Sequence, residues 1–201
     1  MQNEETKLEI INYIEKASVV ILGLLFILFP IIFTDLTTEL FVLPKQALLI
    51  FGTIILFILF GIKTLLMEKV RIRRTPFDLA VMLFIAALFL SSIFSVSRAD
   101  SFIQFVPMLF AGLLFFAIVH NVKNEKSVIT LMSALLAGGA LISIFSALSY
   151  FKIYVFPYDF TKIQTFTTAG SLLDQALYLL FVLPVGLYFL SPFIFKKKHH
   201  E

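Results

Sequence analysis

The chain contains no cysteine and no tryptophan. Without thiols it forms no disulfide, no thiolate-bound zinc or iron–sulfur centre, and has no cysteine nucleophile. Without indoles, any aromatic belt at a membrane–water interface has to come from its 25 Phe and 6 Tyr. Charge is scarce too: 14% of the 201 residues are Asp, Glu, Lys or Arg, against about 25% in ordinary soluble domains. What fills the space is apolar, at 60% of the chain and a mean hydropathy of +0.99. A water-soluble fold of this composition would expose apolar patches that monomers rarely tolerate, and intrinsic disorder requires the opposite composition. The lipid bilayer is therefore the expected solvent and the first expected partner.

Six stretches reach the roughly 20 mostly apolar residues that a spanning helix needs. They are residues 17–34, 46–66, 77–95, 103–120, 128–150 and 172–195. Their apolar runs are continuous rather than alternating, which predicts an all-α, polytopic fold of six transmembrane helices and not a barrel. Glu4, Glu5, Glu9 and Glu15 precede the first stretch, so it reads as a retained helix and not as a signal peptide with a basic leader. Residues 1–16 read as a cytoplasmic interfacial segment. Thr6 and Glu9 have capping-box spacing there, and Leu8, Ile11 and Ile14 share a face. A simple extension of the first span fits equally well. Placing both termini in the cytoplasm puts twelve of the sixteen Lys and Arg on that side and leaves Lys45, Arg98, Lys152 and Lys162 outside. Residues 17–195 are then one six-helix domain, and 196–201 a basic cytoplasmic tail with Lys196, Lys197 and Lys198.

Catalytic motifs are missing: no phosphate-binding glycine loop, dinucleotide fingerprint, H-E-x-x-H or nucleophile elbow occurs. His120 stands alone, and His199 with His200 do not make a metal site, so no cofactor or metal is expected. The basic residues flank membrane stretches without a stacking platform, which argues against nucleic acid. Lys69, Arg71, Arg73 and Arg74 read as an anionic-lipid contact, at ~1 kcal/mol per basic side chain, or as a plain topology anchor. Ser133, Ala137, Gly139, Ser143 and Ala147 give the fifth stretch a small-residue face for close approach of another helix of the same bundle. Pro107 is expected in the first turns of the fourth span and Pro184 inside the sixth, where it should kink the helix. Asp174 and Gln175, one turn inside the outer end of the sixth span, are either substrate-facing or placed by the helix dipole. The outer loop 151–171 carries Phe151, Tyr154, Phe156, Tyr158, Phe160 and Phe166 among Lys152 and Lys162. That pattern suits a segment lying in the headgroup layer, or one recognising a lipid-linked substrate.

Several short motifs go further. Leu43-Pro44-Lys45 opens the second span and Arg74-Thr75-Pro76-Phe77-Asp78-Leu79 the third. Ser91-Ser92-Ile93-Phe94-Ser95-Val96 closes the third, followed by Arg98 and Ser101-Phe102, and Thr168-Ala169-Gly170-Ser171 leads into a helix with Leu183-Pro184. Together they resemble the N-terminal half of the O-antigen ligase and O-antigen polymerase-like membrane glycan enzymes, over most of residues 40–190. The resemblance implies glycan transfer from a polyprenyl-diphosphate carrier to an acceptor hydroxyl, in surface polysaccharide assembly, on the outer face of a bacterial-type cytoplasmic (inner) membrane. It makes Arg98, Lys152, Lys162, Asp174 and Gln175 the candidate contacts for the diphosphate or the glycan.

The resemblance assigns no catalytic residue, because the family's catalytic arginine and histidine lie in a second half, after further spans and a large external loop. This chain ends at Glu201, so on its own it is expected to be catalytically silent, as a fragment or as one part of a split enzyme whose second chain supplies further helices. It also departs from the family before the sixth span, where a Gly-Asn-Pro-Asn-like element is replaced by Thr168-Ala169-Gly170-Ser171-Leu172-Leu173-Asp174. Two other readings stand beside it: a small oligomeric transporter or flippase-like subunit, and a non-catalytic membrane scaffold. The centres of the second, third and fifth stretches hold no ionisable residue, which counts against an ion relay.

Overall fold

A computed structural model describes residues 2–67 and 73–195. These form six helices: α1 (Gln2–Leu28), α2 (Val42–Leu66), α3 (Asp78–Ile93), α4 (Arg98–Asn121), α5 (Glu125–Tyr150) and α6 (Leu172–Phe195). One 3-10 turn covers Asp159–Thr161, and there is no strand among the described residues. The all-α expectation holds, and five of the helices are long and apolar enough to cross a membrane. The sixth, α3, has 16 residues, which at 1.5 Å per residue is about 24 Å, against a hydrocarbon core of about 30 Å. Its start is fixed locally. The Asp78 carboxylate accepts hydrogen bonds from both the backbone N–H and the hydroxyl of Thr75, just ahead of Pro76.

Four helix starts, those of α1, α2, α4 and α5, fall earlier than the sequence pattern places them. α1 begins at Gln2 and runs past residue 16 without a break, so Thr6 sits within the helix and not at its cap. Gln and Glu are good helix formers, and they carry the helix ahead of the apolar run. α2 begins at Val42 because Pro44 is tolerated in a first turn, where its missing N–H would have had no partner. α4 begins at Arg98, which puts Pro107 in the helix interior and corrects the expectation that it lies in the first turns. Lys69, Arg71, Lys196, Lys197, Lys198, His199 and His200 lie outside the described residues.

The chain divides into two compact units. One comprises Met1–Leu25 and Gln46–Val128, the other Phe26–Lys45 and Ile129–Glu201. In the first, Leu22, Leu25, Leu56 and Ala117 are buried. Gly52 admits Leu25 at a distance no side chain would allow, since a Cβ there would lie 2.5 Å from Leu25 Cδ2. α3 packs along α4. Phe51, Leu65, Leu83 and Phe84 point outward.

In the second unit the buried strip of α5 is Leu131, Ala134, Gly138, Gly139 and Ile142. A Cβ on Gly138 would stand 2.8 Å from the Phe26 carbonyl oxygen and 2.9 Å from the Tyr178 hydroxyl; one on Gly139 would stand 3.0 Å from Val182 Cγ1. Of the expected small-residue face only Gly139 is buried, while Ser133 and Ala147 are exposed; the close approach of α6 and of the end of α1 falls at Gly138 and Gly139 instead.

Gly138→Ala should lower stability in detergent by ~1–3 kcal/mol, the usual cost of overpacking. Gly61→Ala, where nothing lies within 4 Å, should be neutral or stabilising by up to ~1 kcal/mol from helix propensity. Thermal unfolding of the two variants checks this, and equal losses would refute the packing account.

Candidate functional site

The second unit holds the longest ordered loop, residues 151–171. It opens with a helix-ending motif: Ile153 N–H donates to Leu148 O at 2.9 Å and Lys152 N–H to Ser149 O at 3.0 Å. Lys152 takes the left-handed position this motif requires, at φ 62°, and its side chain is exposed. Further on the loop turns inward. Thr161, Phe166, Thr167 and Thr168 are buried, so the segment is folded into the unit and not spread over its surface.

Aromatic rings organise this folding. Phe156, Tyr158, Phe160 and Phe166 gather around Phe33, with edge-on contacts at 4.9 Å to Phe156 and 5.7 Å to Phe166. Phe41 adds a further ring, and Phe145 of α5 meets Phe156 at 5.2 Å. Such pairs contribute about 0.5–1.5 kcal/mol each beyond the area they bury. Phe151 and Tyr154, the other two aromatics of the loop, stay exposed.

Lys45, in the first turn of α2, closes the arrangement. Its ammonium donates to the carbonyls of Thr168 at 3.0 Å and Ala169 at 2.6 Å and lies 5.9 Å from the Phe41 ring. Thr168 in turn donates its hydroxyl to Pro30 O at 2.9 Å. Gly170 follows at φ +114°, with Phe41 so near that a Cβ would meet it at 3.2 Å. Only glycine combines that conformation with that approach.

The sequence-predicted contacts fall at different places. Ser171 caps α6: its hydroxyl accepts the Asp174 N–H at 3.1 Å and donates to the Asp174 carboxylate at 2.6 Å. Gln175 is buried, and its amide oxygen accepts from the Ser146 hydroxyl at 2.6 Å. Lys162 pairs with Asp159 at 2.6 Å. The ammonium holds the Asp159 carboxyl below the usual carboxylate range, but a pair this exposed contributes little to stability. Arg98, in the first unit, is exposed at the start of α4.

A second charged node, in the first unit, is one that sequence reasoning missed. Glu15 Oε1 lies 2.8 Å from Lys63 Nζ and 2.6 Å from Lys123 Nζ. The Lys63 side chain is 3% exposed and that of Glu15 26%. The contact to Lys63 is a close, largely buried ion pair. Beside Lys123, Asn121 is buried, with its Oδ1 unpartnered among the described residues. The signal available in the sequence was a lysine, Lys63, in the last turn of a helix whose residues between Lys45 and Lys63 carry no charge.

Comparison with protein-family models, curated proteins and solved structures returned no match for this chain.

Lys45→Met keeps most of the stem and removes every donor, leaving two carbonyls without their cation. Hydrogen exchange over residues 163–170 should then quicken at least tenfold, while Lys152→Met leaves it unchanged; unaltered protection in Lys45→Met would remove Lys45 from its role. Glu15→Gln strands the Lys63 ammonium, so stability should fall toward the low end of the ~3–5 kcal/mol typical of a broken buried pair. Adding Lys63→Met should restore most of it. A double variant no more stable than Glu15→Gln alone would show that the carboxylate is not there for Lys63.

Proposed function

We propose that the chain is the N-terminal membrane portion of an O-antigen ligase- or polymerase-like protein of surface polysaccharide assembly. In this reading it spans a bacterial-type inner membrane six times, α3 included, with both termini cytoplasmic. The bilayer part rests on the outward faces. Phe51, Leu65 and Phe84 in the first unit, and Leu173, Phe181 and Leu190 in the second, are exposed and apolar, which suits lipid and not water. The bias of Lys and Arg supports the orientation.

The glycan part is carried by one observation, the hold of Lys45 on Thr168 and Ala169. Leu43-Pro44-Lys45 and Thr168-Ala169-Gly170-Ser171 are two of the motifs on which the resemblance rests. They are 123 residues apart along the chain at the contact, yet they form one structural unit. The motif around Ser91–Ser95 behaves likewise, since Ser101 Oγ donates to Ser95 Oγ at 2.6 Å and Ser92 Oγ reaches Ser101 O at 3.5 Å. Motifs that build contacts with one another are what a shared architecture requires.

In the transfer reaction the acceptor oxygen bonds to the sugar's anomeric carbon as the bond from that carbon to the diphosphate breaks. The electron pair leaves on the diphosphate, and the hydroxyl proton must pass to a base. Cations lower the barrier by meeting the leaving charge. In this reading Arg98, Lys152 and Lys162 are the outer-side cations offered to that charge, the fourth, Lys45, being engaged by the Thr168 and Ala169 carbonyls, and no base is assigned within the chain. The probe is a polyprenyl diphosphate set against the polyprenyl alcohol of equal length, each offered to the chain in nanodiscs. The diphosphate should bind about tenfold tighter, a difference of about 1.4 kcal/mol. Replacing Arg98, Lys152 and Lys162 together by Gln should abolish that difference, and equal binding by the unaltered chain would defeat the proposal.

A further inference from the structure

The Glu15–Lys63–Lys123 node is not used by the glycan reading, and its charge does not balance. Two ammonium groups share one carboxylate oxygen. Arg73 joins them: its guanidinium donates to Val122 O at 3.4 Å, next to Lys123 in the chain. Asp78, tied to Thr75 at the start of α3, is the second acid at this end, and it lies within electrostatic range of Arg74 and His120. Among the described residues at this end, five cations, Lys63, Arg73, Arg74, Lys123 and Lys126, stand against three carboxylates, Glu15, Asp78 and Glu125. The excess is positive, and Lys63 is buried beside the one carboxylate it shares with Lys123.

An apolar cavity opens between α2, α3 and α4 of the same unit. It has a volume of about 320 Å³ and is lined from α2 by Phe57 and Phe60, from α3 by Met82, and from α4 by Leu113, Phe116 and His120. Phe60 is one turn from Lys63 on α2, and His120 three residues from Lys123. His120 is turned to serve the apolar side. Its Nδ1 lies 2.8 Å from Phe116 O, which as a carbonyl only accepts, so Nδ1 carries the proton. Its ring meets Phe60 edge-on at 5.2 Å. The cavity is at the small end of ligand pockets, which run to about 300–1,000 Å³, and suits a segment of hydrocarbon chain.

We propose that this end of the first unit is a binding site for an anionic phospholipid, with the phosphate at Lys63, Lys123 and Arg73 and part of an acyl chain in the cavity between α2, α3 and α4. Charge complementarity selects this occupant: a cluster with unbalanced positive charge sits at the rim of a hydrocarbon-lined cavity, and an anionic headgroup joined to an acyl chain matches both. The site takes in Arg73 and Arg74, whose composition already pointed to headgroups, and adds two lysines from other helices that make it a defined place. It depends on the chain being a membrane protein but not on the glycan reading.

The test uses the full chain in detergent micelles, titrated with phosphatidylglycerol, with phosphatidylcholine of the same acyl chains, and with inorganic phosphate. Native mass spectrometry reads occupancy. Phosphatidylglycerol should bind about tenfold tighter than phosphatidylcholine, in keeping with the attraction of a few basic side chains, and phosphate alone should not compete at the concentrations where the lipid saturates. The double variant R73Q/K123Q should lose that preference, whereas K7Q/K16Q, which removes the same charge from the exposed face of α1, should keep it. Met82→Trp should weaken both phospholipids alike by narrowing the cavity from the exposed side of α3. The proposal is overturned by equal binding of the two lipids, by a preference that survives R73Q/K123Q or disappears in K7Q/K16Q, by phosphate binding as tightly as the lipid, or by Met82→Trp leaving both affinities unchanged. A chain that stays dissolved without detergent would be a different failure, that of the membrane reading.

Discussion

The polar groups on the apolar helices of this chain find most of their partners within the chain, because apolar neighbours offer none. Burying an unpaired amide or hydroxyl costs roughly 1–3 kcal/mol by mutational measures and more against pure hydrocarbon. The helices meet this requirement for the backbone, and their polar side chains meet it locally. Ser18 donates to Ile14 O, Thr64 to Phe60 O, Ser92 to Leu88 O, Ser133 to Ile129 O, Ser143 to Gly139 O and Asn121 to Ala117 O, each four residues back. Such bonds close a side chain onto its own helix and free it from needing a neighbour. They also explain how the helices carry so many hydroxyls yet remain suited to lipid.

Where the backbone leaves the helix, the same constraint needs longer-range answers. Residues 163–171 contain carbonyls that no helix satisfies, and the unit answers with an ammonium. Lys45 meets two of them, and Thr168 links the segment onward to Pro30. The aromatic rings around Phe33 then exclude the water that would compete for those carbonyls. A cation in this setting works as a hydrogen-bond donor to neutral groups, so its charge is spread over carbonyl dipoles instead of cancelled. The first unit handles charge differently, through a carboxylate shared by two ammonium groups. That arrangement stabilises less than its distances suggest, since the desolvation of buried ions offsets most of their attraction.

The sequence made some of this legible and concealed the rest for reasons that can be named. Helices were readable because membrane stretches are defined by continuous composition, which needs no knowledge of neighbours. Their starts were less so: the apolar window begins at residue 46, whereas the backbone is already helical at Val42, since a proline in the first turn carries no penalty. The loop aromatics were visible as a list, but their convergence depends on Phe33 and Phe41, from a different connection. Asp174 was readable as a helix-start carboxylate because its partner Ser171 is three residues away. Glu15 was not, because Lys123 is 108 residues away and nothing local distinguishes that glutamate from the acids before it.

This pattern separates two kinds of polar residue. Those whose partners lie within one helical turn announce themselves by spacing and serve the helix. Those whose partners lie far off look ordinary in the sequence, and they tie separate segments of the chain together. Lys45 and the Glu15–Lys63–Lys123 node are both of the second kind, and each joins segments that an apolar interface alone would leave free to slide. Hydrophobic contact in lipid is nearly indifferent to register, because one aliphatic neighbour replaces another at little cost. A charged group that must meet a particular oxygen is not indifferent. In a chain with so few charges, the long-range ones are therefore the best markers of positions where the arrangement of helices and loops is specified and not merely allowed.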